Sequence, residues 1–326
     1  MVSAYRLTYS ECLVLAVLLQ LPVQPRSVLG DWFRIQEFPE LTEDLLANSL
    51  AALKDKGYYF PNQKSQPIAL ALIRSLMLLS LNPGDITIFL RRHGRSALTR
   101  FAQMKRSVAQ YSIGGEHLYI YPIIRQSSLA EIILPEWFLV CQNEGLQAEM
   151  SPGAFHLFSQ TCALIDLAAA ETDFQTSWIK KSKLFEPSTF ANDWLDVFYS
   201  PEQGDAPKRL EQELRWLISE RFLAEGGDSS GAIEIGERGK ALSATLSDPD
   251  MAILTVSLQL WQDDFPETGV FLFGGGRLFL LDIWKKPGSF LIRQVGDRQE
   301  GSAWVKDLLE AGSTARRADY VIPTVA

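Results

Sequence analysis

The chain has 326 residues, 47% hydrophobic and 11% aromatic, which is ample for a buried core in one large domain or two. Its formal charge is −8, from 31 Lys and Arg against 39 Asp and Glu; that balance argues against general nucleic-acid binding, which needs cations to neutralise phosphates. Cys12, Cys141 and Cys162 are odd in number, far apart and without CxxC spacing, so they suggest neither a disulfide framework nor a zinc site and fit a reducing compartment.

Near the start, Arg6 followed by the apolar run from Cys12 to Leu21 has the outline of a signal peptide. Glu11 opens that run, Gln20 interrupts it and no A-x-A site follows, so a first helix is the better reading. Thr8-Tyr9-Ser10-Glu11 supplies its capping box. Leu41, Leu45, Leu46, Leu50 and Leu53 then recur at helical spacing around the cap Thr42, with Gly57 as a left-handed stop. The segment from Ile68 to Leu81 is apolar almost all round, which predicts a central helix ended by Asn82-Pro83-Gly84. Arg74 interrupts it, and no stretch is long and apolar enough to span a membrane. Strand candidates follow at Asp85 to Leu90, Ala97 to Met104, Val108 to Ser112 and His117 to Ile124, with turns at His93-Gly94, Lys105-Arg106 and Gly114-Gly115. The second of these is weak in β-formers and compatible with a helix. A short helix opens at Ser127-Ser128.

Ser151-Pro152 caps an apolar helix through Phe155, Leu157, Leu164 and Leu167. Residues 171 to 206 follow, with Phe174, Trp178, Phe185, Phe190, Trp194 and Phe198 set among Lys180, Lys181 and Lys183. A helix carrying Leu210, Leu214 and Ile218 is expected to end at Gly226-Gly227, and another at Asp248-Pro249. Met251 to Leu260, Val270 to Phe273, Arg277 to Trp284 and Ser289 to Val295 read as strands, with turns at Gly274-Gly275-Gly276 and Pro287-Gly288. A last helix opens near Ser302, and the tail after Gly312 is expected to be loose.

The order from about residue 41 to 135 therefore returns in the second half, in punctuation and periodicity rather than in letters. The fold expected is α+β: two similar halves, each with helices packed on an antiparallel meander, duplicated about a pseudo-two-fold axis. Residues 1–145 form the first repeat and 146–326 the second, with 171–206 as an insertion lacking a counterpart.

Chemistry is hard to find in this sequence. Gly227-Asp228-Ser229-Ser230-Gly231 fits G-x-S-x-G, but a helix precedes it where a strand is needed, and His93, His117 and His156 all precede Ser229 where the hydrolase order wants a later histidine. Gly274-Gly275-Gly276 lacks the lysine of a phosphate loop and joins two strands. The three histidines form no i, i+4 metal pair, while Asp248-Pro249-Asp250 and Asp263-Asp264 sit where turns want them. No enzyme, metal or cofactor is expected. A helix pair before Lys56-Gly57-Tyr58-Tyr59 has the outline of a helix-turn-helix and wing, echoed from Arg221 to Gly239, yet Glu43, Asp44 and Asn48 stand at the end that would face bases.

The pattern resembles the EspG chaperones of ESX (type VII) secretion. The resemblance is carried by Leu72 to Leu81 leading through Asn82-Pro83-Gly84-Asp85 into Ile86-Thr87-Ile88, and by the apolar run Leu118-Tyr119-Ile120-Tyr121-Pro122-Ile123 before a helix. It is architectural, contains no signature motif, and does not extend to the helix from Pro152 to Ala170 or to 171–206. It implies two similar halves around a shared sheet, binding of the tip of a helical secreted substrate, and no catalytic residues.

These readings converge on a non-enzymatic, cytoplasmic adaptor or chaperone that binds a protein, a secretion substrate in the finer form, and neither nucleic acid nor membrane. The alternative is a winged-helix transcriptional regulator. The candidate partner surface is Trp178, Lys180, Lys181, Lys183, Phe185 and Phe190 together with an exposed sheet edge: aromatic anchors with a basic rim suit an interface, although core cover is the commoner role of such aromatics.

Overall fold

The computed structural model describes residues 4–35, 42–63, 67–82, 84–104, 106–134, 145–169, 206–226, 233–260, 266–286 and 289–314. In chain order the first half runs β1 (Tyr5–Thr8), α1 (Tyr9–Leu18), α2 (Val28–Ile35), α3 (Glu43–Asp55), α4 (Leu70–Leu81), β2 (Gly84–Arg92), β3 (Arg95–Met104), β4 (Ser107–Gly114), β5 (His117–Ile120), β6 (Ile124–Arg125) and α5 (Gln126–Ile133). The second runs β7 (Gln147–Met150), α6 (Pro152–Ala169), α7 (Ala206–Ser219), β8 (Leu223–Glu225), β9 (Ile233–Ile235), a 3-10 turn at Glu237–Gly239, α8 (Lys240–Leu246), β10 (Ala252–Leu260), β11 (Glu267–Gly274), β12 (Arg277–Lys286), β13 (Ser289–Val295) and α9 (Arg298–Thr314). The fold is α+β, with nine α-helices among the described residues.

One eleven-stranded antiparallel sheet unites both halves in the order β1-β5-β4-β3-β2-β10-β11-β12-β13-β7, with β6 beside β4. The seam is β2 against β10. Each is nine residues long, and their central residues, Ile88 and Val256, face each other. Outward from the seam the registers run alike. On one side Thr87 stands beside Arg100, Tyr111, Ile120 and Tyr5 in turn; on the other Thr255 stands beside Val270, Leu281, Ile292 and Ala148. Both edge strands then enter helices through a hydroxyl cap, Thr8 accepting from the Glu11 N–H at 3.2 Å and Ser151 from the Ala154 N–H at 3.0 Å.

Alternation along the strands divides the core into three clusters, because successive side chains point to opposite faces. One face, carrying Ile86, Ile88, Phe101 and Val108 with Leu254, Val256, Phe271 and Leu278, is covered by α5 and α9. Those helices offer like-spaced tetrads, Leu129, Ala130, Ile133 and Leu134 on α5 and Trp304, Val305, Leu308 and Leu309 on α9. Trp304 lies over Gly269, where an added Cβ would stand 2.1 Å from its ring. On the opposite face α1, α2 and α4 cover Ala102, Ala109, Tyr111 and Ile120 in the first half, while α6, α7 and α8 cover Val270, Leu272, Phe279 and Leu281 in the second. Each such buried Leu, Ile or Phe contributes about 1.5–3 kcal/mol, so either layer is a sufficient hydrophobic anchor.

The capping box at Thr8 and Glu11, the Thr42 cap, the stop at Gly57 and the turns at His93-Gly94 and Gly275-Gly276 stand as read from the sequence. Other elements differ. The helix before β2 is not buried all round: Leu70 and Met77 are 47% and 39% exposed, because α4 is an outer-layer helix with one face on β3 and β4. The run from His117 to Ile124 breaks at Tyr121-Pro122-Ile123 into β5 and β6. Helix α5 begins at Gln126 with no side-chain cap, the serines falling inside its first turn. Helix α9 begins at Arg298, capped by Asp297 accepting from the Glu300 N–H at 2.8 Å, not near Ser302. Helix α7 ends at Ser219 rather than at the glycines, and the chain turns through Arg221, with φ at 62°, into the β8–β9 hairpin.

Candidate functional site

The β2–β3 hairpin leaves part of its outer edge unpaired among the described residues. Its two-residue tip, His93-Gly94, has φ of 50° and 69°, the left-handed pair whose twist matches the flanking strands. His93 Nδ1 lies 3.1 Å from Asp250 Oδ1, so the tip leans on the turn before β10; both groups are exposed and the pair adds little stability. Strand β4 first meets β3 at Arg100, opposite Tyr111, and from there turns to β5. Among the described residues, Arg95 to Thr99 therefore have β2 on one side and no strand on the other. Arg95, Ser96, Ala97, Leu98 and Arg100 are all exposed, Leu98 at 47%. An open strand edge with an apolar side chain is a ready template for another chain, and Arg95 and Arg100 bracket it with positive charge.

Beside this edge lies a buried polar cluster. Asp85, near the start of β2, accepts from the Tyr111 hydroxyl at 2.6 Å through Oδ2 and from the Asn82 amide at 2.9 Å through Oδ1. Asn82 Oδ1 in turn accepts from the Val28 N–H at 3.0 Å, which ties the cluster to the start of α2. Burial pushes the Asp85 carboxyl up to about 6, against the opposing pull of the Tyr111 hydroxyl, the Arg100 guanidinium and the Asn82 amide, while the Asp31 carboxylate reinforces the rise. Burial, and then the neighbouring Asp85 carboxylate, hold the Tyr111 phenol above its ordinary range, so it stays a donor.

Trp178, Lys180, Lys181, Lys183, Phe185 and Phe190, expected to form the partner surface, lie outside the described residues, as does the whole segment from 170 to 205. So does Gly227-Asp228-Ser229-Ser230-Gly231. Gly275 and Gly276 form the β11–β12 turn. The three histidines are far apart in function: His93 faces Asp250, His117 Nε2 lies 3.0 Å from the Arg6 guanidinium, and His156 Nε2 lies 2.8 Å from the Gln160 amide. Burial lowers the His156 imidazole below its usual range. Among the described residues no three His, Cys, Asp or Glu side chains gather as metal ligands, and no helix is long and apolar enough to cross a membrane. A cavity of about 410 Å³ between the end of α7 and the β8–β9 hairpin is lined by Ile218, Arg221, Leu223, Ala224, Glu225, Gly236 and Glu237, none of which is a nucleophile of the Ser or Cys type.

The open β3 edge was not identified in the sequence, although one signal was there. The strand candidate Ala97 to Met104 is longer than its successor Val108 to Ser112, so a tight meander between them had to leave the beginning of the longer strand unpaired. What hid it was the segment Arg95 to Leu98, which lacks the apolar alternation of a half-buried strand because all four residues are exposed.

No protein-family model matches the sequence, and no curated protein is significantly similar to it. Among solved structures, one that is similar is the Mycobacterium tuberculosis type VII secretion system chaperone EspG5 in complex with the PE25–PPE41 dimer, at a TM-score of 0.47 and 12% identity, covering 94% of this chain and 96% of that one.

Proposed function

We propose that the protein is a non-enzymatic adaptor or chaperone whose partner is another protein, received on the free edge of β3. The observation that carries this reading is the unpaired stretch Arg95 to Thr99, with Leu98 47% exposed between two arginines. A strand or helix end with an apolar anchor and acidic flanks would satisfy the free backbone groups, bury Leu98 and meet Arg95 and Arg100. In its finer form the partner is a secreted protein held before export, as the resemblance between residues 41 and 135 and the EspG chaperones implies. Residues 171–206 would then supply a second part of the surface through Trp178, Lys181 and Phe185.

A photo-crosslinking side chain placed at Leu98 tests this in cells that make the chain naturally, with the same probe at Ile132, 61% exposed on α5, as control. The expected result is one protein crosslinked from position 98 and not from 132, and lost in the Arg95→Glu, Arg100→Glu double variant. Equal labelling from both positions overturns the reading. Sequence-specific retardation of duplex DNA by the wild type, abolished in the double variant, would replace it with the transcriptional alternative.

A further inference from the structure

The sheet ends at β1 and β7, and an end strand turns half of its backbone groups away from its neighbour. The Tyr9 N–H donates to the Glu116 carbonyl at 3.2 Å, one step past the last pair of the β1–β5 ladder. Alternation therefore gives Leu7 and Tyr5 to β5 and points the N–H and C=O of Arg6 outward. Neither is left open. The Arg6 N–H donates to the Tyr58 hydroxyl at 3.3 Å, and the Arg6 carbonyl accepts from Lys56 Nζ at 3.2 Å. The next outward N–H, that of Thr8, donates to Glu11 Oε2 at 2.8 Å, and the Glu11 carboxylate holds Lys56 at 2.7 Å. Tyr58 is fixed by its ring, edge-on to Tyr5 with the centroids 5.2 Å apart.

The other end is treated alike. The Gln294 N–H donates to the Leu146 carbonyl at 2.8 Å, so Gln147 faces outward from β13, and its carbonyl accepts from the Arg238 guanidinium at 2.9 Å. Arg238 lies over the Phe222 ring at 5.2 Å and pairs with Glu220. These supports stand at matching places after α3 and α7. Gly57 and Arg221 have φ of 71° and 62°, and the next N–H, of Tyr58 or Phe222, returns to the carbonyl of Leu53 or Leu217 at 2.8 or 2.9 Å. Lys56 thus stands against Glu220 and Tyr58 against Phe222, yet at both ends a cation reaches an outward carbonyl of the last strand.

We propose that Tyr58 and Lys56 are a guard that keeps the β1 edge closed to a second copy of this chain, with Arg238 as its counterpart at β7. The occupant follows from the edge itself. Two copies of Tyr5-Arg6-Leu7-Thr8 related by a two-fold axis beside Arg6 would exchange the N–H and C=O of Arg6 in both directions, an isologous contact that joins two sheets. In the single chain those two groups are taken by Tyr58 and Lys56. The Arg6 side chains would also meet across that pair, and their like charge opposes it. The guard acts whatever β3 receives.

Two measurements on the full chain test it. In amide hydrogen exchange the Arg6 N–H should be protected although it lies on an end strand, and Tyr58→Phe, which keeps the ring beside Tyr5, should lower that protection about fivefold while Leu7 is unchanged. In sedimentation, Arg6→Thr alone should behave as the wild type. Adding Glu11→Gln, Lys56→Met and Tyr58→Phe to it removes the guard and leaves a side-chain cap for Thr8, and the mass should then rise with concentration towards about twice that of Arg6→Thr. Exchanging the threonine for proline, Arg6→Pro, in the same unguarded chain removes the outward N–H and should abolish the association. Equal exchange of the Arg6 amide in wild type and Tyr58→Phe overturns the proposal, as does an unguarded chain that sediments like Arg6→Thr or an association that survives the proline.

Discussion

The two halves of the sheet share strand order and register but differ in how they fill the same positions. The first half sets carboxylates in or against the core. Glu11, 3% exposed, binds Lys56 at 2.7 Å through both oxygens while closing the cap of α1, and Asp85 sits among Tyr111, Arg100 and Asn82. At the corresponding places the second half has Ala154, fully buried three residues after the cap Ser151, and the trio Ile253, Val270 and Leu281. Hydrocarbon suffices to hold this backbone together. Where charge replaces it, position and ionisation become part of what is specified, at some cost in stability.

The contrast can be broken most forcefully on the shared face, where both halves are apolar. Trp304→Ala should cost about 3–5 kcal/mol in urea unfolding, since it empties the contact over Gly269 and beside Phe271, whereas Leu129→Ala, in the like-spaced tetrad of α5, should cost about 2–4. A larger loss at Leu129 would show that the first half, not the second, anchors this face. Next in size, Lys56→Ala should cost about 2–4 kcal/mol near pH 7 because it leaves the buried Glu11 without its counter-ion, and the Glu11→Ala, Lys56→Ala double variant, which imitates Ala154, should recover most of that loss. If the double variant is as unstable as the single one, the ion pair is needed for the frame itself.

The smallest effect expected is the pH dependence set by Asp85. Its folded-state value of about 6 lies above that of an unfolded aspartate, so the folded protein binds the extra proton between roughly pH 4 and 6. The contribution of Asp85 to stability therefore falls as pH rises through that window and is flat above it. The stability of the wild type relative to Asp85→Asn should accordingly decline by on the order of 1–3 kcal/mol from pH 4 to pH 7, measured by urea unfolding at each pH. No difference in slope between the two proteins would remove Asp85 from the account of pH dependence.

Much of this frame was legible because its signals are local. Thr8-Tyr9-Ser10-Glu11, Thr42, Gly57, His93-Gly94 and the glycines at 274–276 each act through their own backbone, and the strands beside these turns were found, with ends off by up to three residues, as at Val270, where β11 begins at Glu267. The edge strands β1 and β7 escaped notice: Tyr5-Arg6-Leu7-Thr8 and Gln147-Ala148-Glu149-Met150 are four residues each, too short to show a period, and they are strands only because β5 and β13 receive them. With β7 in place, α6 follows β7 as α1 follows β1. Helix α2 was missed because Gly30 stands inside it, yet there the Gln24 carbonyl comes so close that a side chain would not fit. The candidate site was sought among aromatics and lysines at 171–206, since composition is visible in a sequence and an unpaired edge is not. Likewise nothing in the letters Asp85, Arg100 and Tyr111 says that they meet; only the pairing of Thr87 with Arg100, and of Arg100 with Tyr111, brings them together.

The seam between Ile88 and Val256 has a consequence for how the chain is made. Strand β2 is complete long before β10 leaves the ribosome, and at ordinary rates of synthesis the interval is on the order of ten seconds. For that time a nine-residue edge with Ile86 and Ile88 on one face has no strand beside it, and the same open template that suits a partner at β3 invites stray pairing at β2. The nascent first half thus carries an edge open to stray pairing, and β10 covers that edge once it is made.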